Sequence, residues 1–117
     1  MLTTTAPTYT PINTVELGDC DTLHATATIP TGRDFTNYDD VVAYATATYG
    51  LDIADYLIGA DDTGNLELED TRDCEPAEYS DDQAESFADD LPAFGLDITW
   101  VITHMETGET LATATVH

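Results

Sequence analysis

Carboxylates are the residues of this chain with the numbers and the spacing to do chemistry. Twenty-four of them stand against two arginines, Arg33 and Arg72, and no lysine, a formal net charge of −22 over 117 residues. They recur as doublets, at Asp39-Asp40, Asp61-Asp62, Asp81-Asp82 and Asp89-Asp90. On a helix, Asp82, Glu85 and Asp89 fall at i, i+3 and i+7 along one face. On a strand, Glu67 and Glu69 point the same way, about 7 Å apart at two residues' rise. These separations are similar to those of successive phosphates along a nucleic-acid strand. The chemistry they allow is electrostatic: negative charge presented to a basic surface, which speeds encounter and selects the partner.

Other chemistries find less support. His24, His104, His117, Cys20 and Cys74 include no HxxxH, HxH or CxxC pair, so no metal is expected. Asp61-Asp62-Thr63-Gly64-Asn65 is too short for a calcium loop and reads as turn chemistry. There is no G-x-S-x-G, P-loop or G-x-G-x-x-G, and only Ser80 and Ser86 carry serine hydroxyls, so no catalytic residue and no cofactor are expected. Acids flank both cysteines, which raises a thiol's pKa and argues against a nucleophile. The pair could close one disulfide, but an intracellular setting favours free thiols.

The elements that must position the acids follow from periodicity. TLHATATI over 22–29 alternates Leu23, Ala25, Ala27 and Ile29 with His24, Thr26 and Thr28, which is a strand. A shorter strand is read over 13–17, and residues 1–11, rich in Thr and Pro, read as a flexible lead. Thr36 or Asn37 caps a helix carrying Tyr38, Val41, Val42, Ala45 and Tyr49 at helical spacing and stopped by Gly50. The runs 53–60 and 65–70 form a hairpin about Asp61–Gly64, although LDIADYLIG could instead extend the helix. Ser80 and Gln83 make a capping box ahead of Ala84, Phe87, Ala88 and Leu91. The runs 96–104 and 110–116 flank Glu106–Glu109 as the clearest hairpin. The expected order is β-β-α-β-β-α-β-β: one α+β domain over 1–117, an antiparallel sheet with two helices packed on one face.

Composition narrows the partners. A hydrophobic share of 42% supports a folded core despite the charge. Direct nucleic-acid binding needs Lys and Arg to displace counterions, and anionic lipid would repel the surface, so neither nucleic acid nor membrane is an expected partner. The N-terminus has no basic n-region or apolar h-region, and no apolar run spans a bilayer, which points to the cytoplasm. The 21 threonines, many alternating with Ala, read as strand formers on a solvent face rather than an ice-binding array.

Two settings suit such a charge. In multimolar salt, repulsion is screened, and the chain would be a salt-adapted (halophilic) accessory or binding domain. Against a basic partner, every cation on the surface is harmful, which accounts for low Arg as well as absent Lys. In this whole-chain composition the sequence resembles the small acidic DNA mimics carried by phages and plasmids, of the anti-CRISPR and anti-restriction type. That resemblance implies a non-enzymatic inhibitor in the host-cell cytoplasm, blocking the basic groove of a CRISPR effector or restriction enzyme. The expected contact residues are Asp81, Asp82, Glu85, Asp89 and Asp90, then Glu67, Glu69, Asp61 and Asp62.

Overall fold

The structure, a computed structural model, describes residues 8–18, 21–74 and 80–117, with Ser80 and Asp81 described by their backbone. Six strands and two helices follow one another as β1 (Thr8–Pro11), β2 (Thr22–Pro30), α1 (Tyr38–Tyr49), β3 (Leu57–Ala60), β4 (Asn65–Asp73), α2 (Ser80–Asp90), β5 (Ile98–His104) and β6 (Thr110–Val116). All six strands join one antiparallel sheet in the order β1-β6-β5-β2-β4-β3. The fold is α+β.

Strict alternation decides which face is covered. Leu23, Ala25, Ala27 and Ile29 of β2, Leu66 and Leu68 of β4, and Ile98, Trp100 and Ile102 of β5 are all buried. They form one core with Val41 and Ala45 of α1 and Ala84, Phe87 and Ala88 of α2, so both helices lie on the same side of the sheet. Trp100 is fully enclosed at the centre, its indole N–H donating to the Pro92 carbonyl at 3.1 Å and its ring meeting Tyr56 nearly edge-on.

The opposite face is a field of threonines. Strand register sets Thr10, Thr113, Val101, Thr26 and Glu69 side by side across five strands. Thr99 and Thr115 pair through their hydroxyls at 2.9 Å. β-branched residues fit a pleated, solvent-facing surface, which accounts for the Ala-Thr alternation.

Local chemistry fixes the helix ends. Asn37 is the N-cap of α1, its Oδ1 accepting the Asp40 N–H at 2.9 Å, and Gly50 ends the helix at φ 105°. The chain then makes a 3₁₀ turn over Leu51–Asp55 before entering β3. The strand read from Ile53 therefore starts four residues later, because Ile53 is buried under α1 rather than paired in the sheet.

Two other readings are corrected at the N-terminus. Thr8–Pro11, read within a flexible lead, is an edge strand paired with β6. The stretch 13–17 forms no strand beyond a single bridge at Glu16, and it contributes the buried Leu17 instead. An edge tolerates Pro11 because one row of its N–H groups needs no partner.

The β3–β4 hairpin is tied to the loop ahead of α1 at one glycine. Gly64 has φ 83°, and a Cβ there would lie 2.1 Å from the Arg33 carbonyl oxygen. The Thr31 hydroxyl donates to the Gly64 carbonyl at 2.6 Å across the same contact. Gly64→Ala should therefore cost about 2–4 kcal/mol, combining a left-handed backbone with a backbone clash. A urea melt reads this as a lower midpoint at unchanged slope.

Candidate functional site

Helix α2 carries the acids that sequence spacing aligned. Its buried side is Gln83, Ala84, Phe87 and Ala88, leaving Asp82, Glu85, Asp89 and Asp90 exposed on the outer side. The rise of 1.5 Å per residue sets Asp82, Glu85 and Asp89 about 4.5 and 6 Å apart along the axis. The Asp81 side chain lies outside the described residues.

Arg72 reaches up from β4 to the end of this helix. Its guanidinium pairs with the Asp90 carboxylate, donates to Ser86 Oγ at 3.3 Å and lies 5.0 Å from the centre of the Phe87 ring. Asp90 is thereby neutralised, whereas among the described residues neither Glu85 nor Asp89 forms an ion pair. Arg33 is held elsewhere, over the Tyr44 ring at 4.6 Å.

The remaining predicted acids do not join this row. Glu67 and Glu69 alternate with buried Leu66 and Leu68, so they project from the threonine face, on the far side of the sheet from α2. Glu69 also contacts His24 Nε2 at 2.8 Å.

Asp61 serves its own turn. Its Oδ1 accepts the Thr63 N–H at 2.9 Å, the Thr63 hydroxyl at 2.8 Å and the Asn65 N–H at 3.0 Å, while Oδ2 accepts from Asn65 Nδ2. These donors, led by the Thr63 side chain, hold its carboxyl below the usual carboxylate range. Asp62 is exposed at the tip of the same turn. The acids thus lie over both layers, and α2 holds an exposed row of its own in Asp82, Glu85 and Asp89.

A second constellation lies where β5 ends beside the start of β2. Strand period puts His104 on the core side with Ile98, Trp100 and Ile102, and it is only 6% exposed. Register pairs it with Leu23, which brings Asp21 alongside. His104 Nε2 is 3.1 Å from Asp21 Oδ2 and 3.4 Å from Glu106 Oε2.

Both acids are fixed from behind. Asp21 Oδ2 accepts the Gly18 N–H at 2.7 Å, and the Glu106 carboxylate accepts the Thr22 N–H at 3.1 Å through both oxygens. The Gly18 amide first, and then the neighbouring imidazole, hold the Asp21 carboxyl below its usual range. Cys74, a buried free thiol, bonds its N–H to the Asp21 carbonyl at 3.0 Å. Burial, then the Asp21 and Glu106 charges, push that thiol up, which disfavours its thiolate form. Cys20 lies outside the described residues.

Sequence reasoning looked for paired ligands at short spacing and missed this cluster. The signal available was the period of two in β5, which turns His104 inward, with Glu106 two residues beyond it. No protein-family model, curated protein or solved structure matches the chain. No helix among the described residues is long and apolar enough to cross a membrane.

Proposed function

We propose that this protein is a non-enzymatic acidic inhibitor that lays α2 along the basic nucleic-acid groove of a CRISPR effector or restriction complex in the host cytoplasm. The observation that carries the reading is the outward row Asp82, Glu85 and Asp89, on a helix whose only neighbouring arginine is bound to Asp90 at its end. Carboxylates at this spacing would meet cations that otherwise hold phosphates, and charge complementarity gives both rapid encounter and partner choice. Glu67 and Glu69, on the other face, belong to a different surface and do not contribute to the same contact.

A second reading rests on a separate observation, the spread of carboxylates over both layers and the hairpin tips. Such a shell suits a salt-adapted binding domain, for which multimolar salt screens the repulsion. Displacement of bound duplex DNA from purified CRISPR effectors and restriction enzymes tests the first reading. Inhibition should be stoichiometric and should weaken steeply as KCl rises. DNA left bound across the panel at low salt would refute it.

A further inference from the structure

We propose that Asp21, His104 and Glu106 form a binding site for one divalent transition-metal ion, with zinc as the best-fitting occupant. This site is separate from the α2 row and does not depend on the inhibitor reading.

Three donor atoms of the kinds such ions take, one imidazole nitrogen and two carboxylate oxygens, all lie within 4.8 Å of one another. An ion with 2.0–2.1 Å bonds in tetrahedral geometry sets its ligands about 3.3–3.4 Å apart, and the imidazole-to-carboxylate separations are 3.1 and 3.4 Å.

Close acids alone would be ordinary in this chain. The imidazole supplies the independent observation. His104 Nε2 is enclosed, faces the two carboxylate oxygens, and is the one buried side-chain nitrogen or oxygen among the described residues with no hydrogen-bond partner. Buried polar atoms are nearly always satisfied, so this exception needs a cause. A proton on Nε2 would make ion pairs with Asp21 Oδ2 at 3.1 Å and Glu106 Oε2 at 3.4 Å, but no hydrogen bond of good geometry to either. A cation bound in line with the Nε2 lone pair satisfies all three atoms together.

The surroundings fit that role. His104 Nδ1 lies 2.9 Å from Thr107 Oγ1; in the tautomer that donates Nδ1–H to this hydroxyl, the Nε2 lone pair faces the two carboxylates. The Gly18 and Thr22 amides orient the two carboxylates in the same way. Glu106 is exposed, leaving one side of the site open to solvent, so water completes the coordination. A mixed nitrogen and oxygen set suits zinc better than calcium or magnesium, which prefer oxygen alone.

The test is titration of chelator-treated protein with Zn²⁺ in the presence of excess Mg²⁺, which occupies the general acidic surface. One saturable equivalent of zinc is expected, and Co²⁺ in its place should give the visible absorption of a low-coordinate site. Thr107→Val, which removes no ligand but takes away the partner of the far nitrogen and the acceptor of the Glu109 N–H, should weaken binding about 10–100-fold, and Glu106→Gln by more. Circular dichroism of both variants should match the parent, since both positions are exposed. Absence of a saturable equivalent would overturn the site, as would zinc binding unchanged in both variants.

Discussion

Trp100→Ala should leave much of the population unfolded at low ionic strength and regain structure as salt is added. Trp100 is fully buried, packs edge-on against Tyr56 and satisfies the Pro92 carbonyl, so truncation removes area, ring contacts and a hydrogen bond together. Replacing a buried Trp with Ala costs about 3–5 kcal/mol, against a total stability of about 5–15 kcal/mol for a domain. Here the margin is narrower, because a net charge of −22 opposes compaction. Salt screens that repulsion without repairing the cavity, and the variant's urea midpoint should stay about 2 M below the parent's at every salt concentration. Trp100→Phe, which keeps most of the area, should lose less. A midpoint unchanged in Trp100→Ala would mean that the core is not centred on this side chain.

Glu85→Lys should move stability and inhibition in opposite directions. In α2 the residue stands three positions after Asp82 and four before Asp89, so both neighbours repel it now and both would attract a lysine. Each such pair is worth about 0.2–0.5 kcal/mol, and reversing two of them should stabilise the helix by about 1 kcal/mol at low salt. The same change puts a cation in the middle of the row proposed to meet a basic groove. Loss of one attraction and gain of one repulsion there should weaken inhibition about tenfold or more, a change of about 1.4 kcal/mol. Adding Asp89→Lys should weaken it further. DNA-displacement curves and thermal melts read the two effects independently. A variant that melts higher and inhibits as well as the parent would remove α2 from the contact surface.

The element order from β2 onward was legible because the chain marks its own boundaries there. The Leu23–Ile29 alternation, the Asn37 cap, Gly50 and the Glu106–Glu109 turn each act over a few residues, and each stands where the sequence placed it. The strand order was not legible, since β2 lies between β5 and β4 through pairings far apart in sequence. The same long range hid two features of the surface. Glu67 and Glu69 share a strand and a spacing with the phosphate-like pattern, but register puts them behind the sheet from α2. Asp21 and His104 have no local relation, and only the β2–β5 pairing makes them neighbours. Thr8–Pro11 was lost in the same way: a short edge strand with Pro at its end has little pattern of its own and is defined by β6.

The central claim is that this charge is made for a basic partner rather than for brine. Far-UV circular dichroism through a KCl titration tests it most directly. The proposal predicts the native α+β spectrum already at about 0.15 M salt, where the Debye length is about 8 Å and near neighbours still repel. A coil spectrum at that salt, converting to the folded one only in molar KCl, would contradict it and assign the carboxylate shell to salt adaptation.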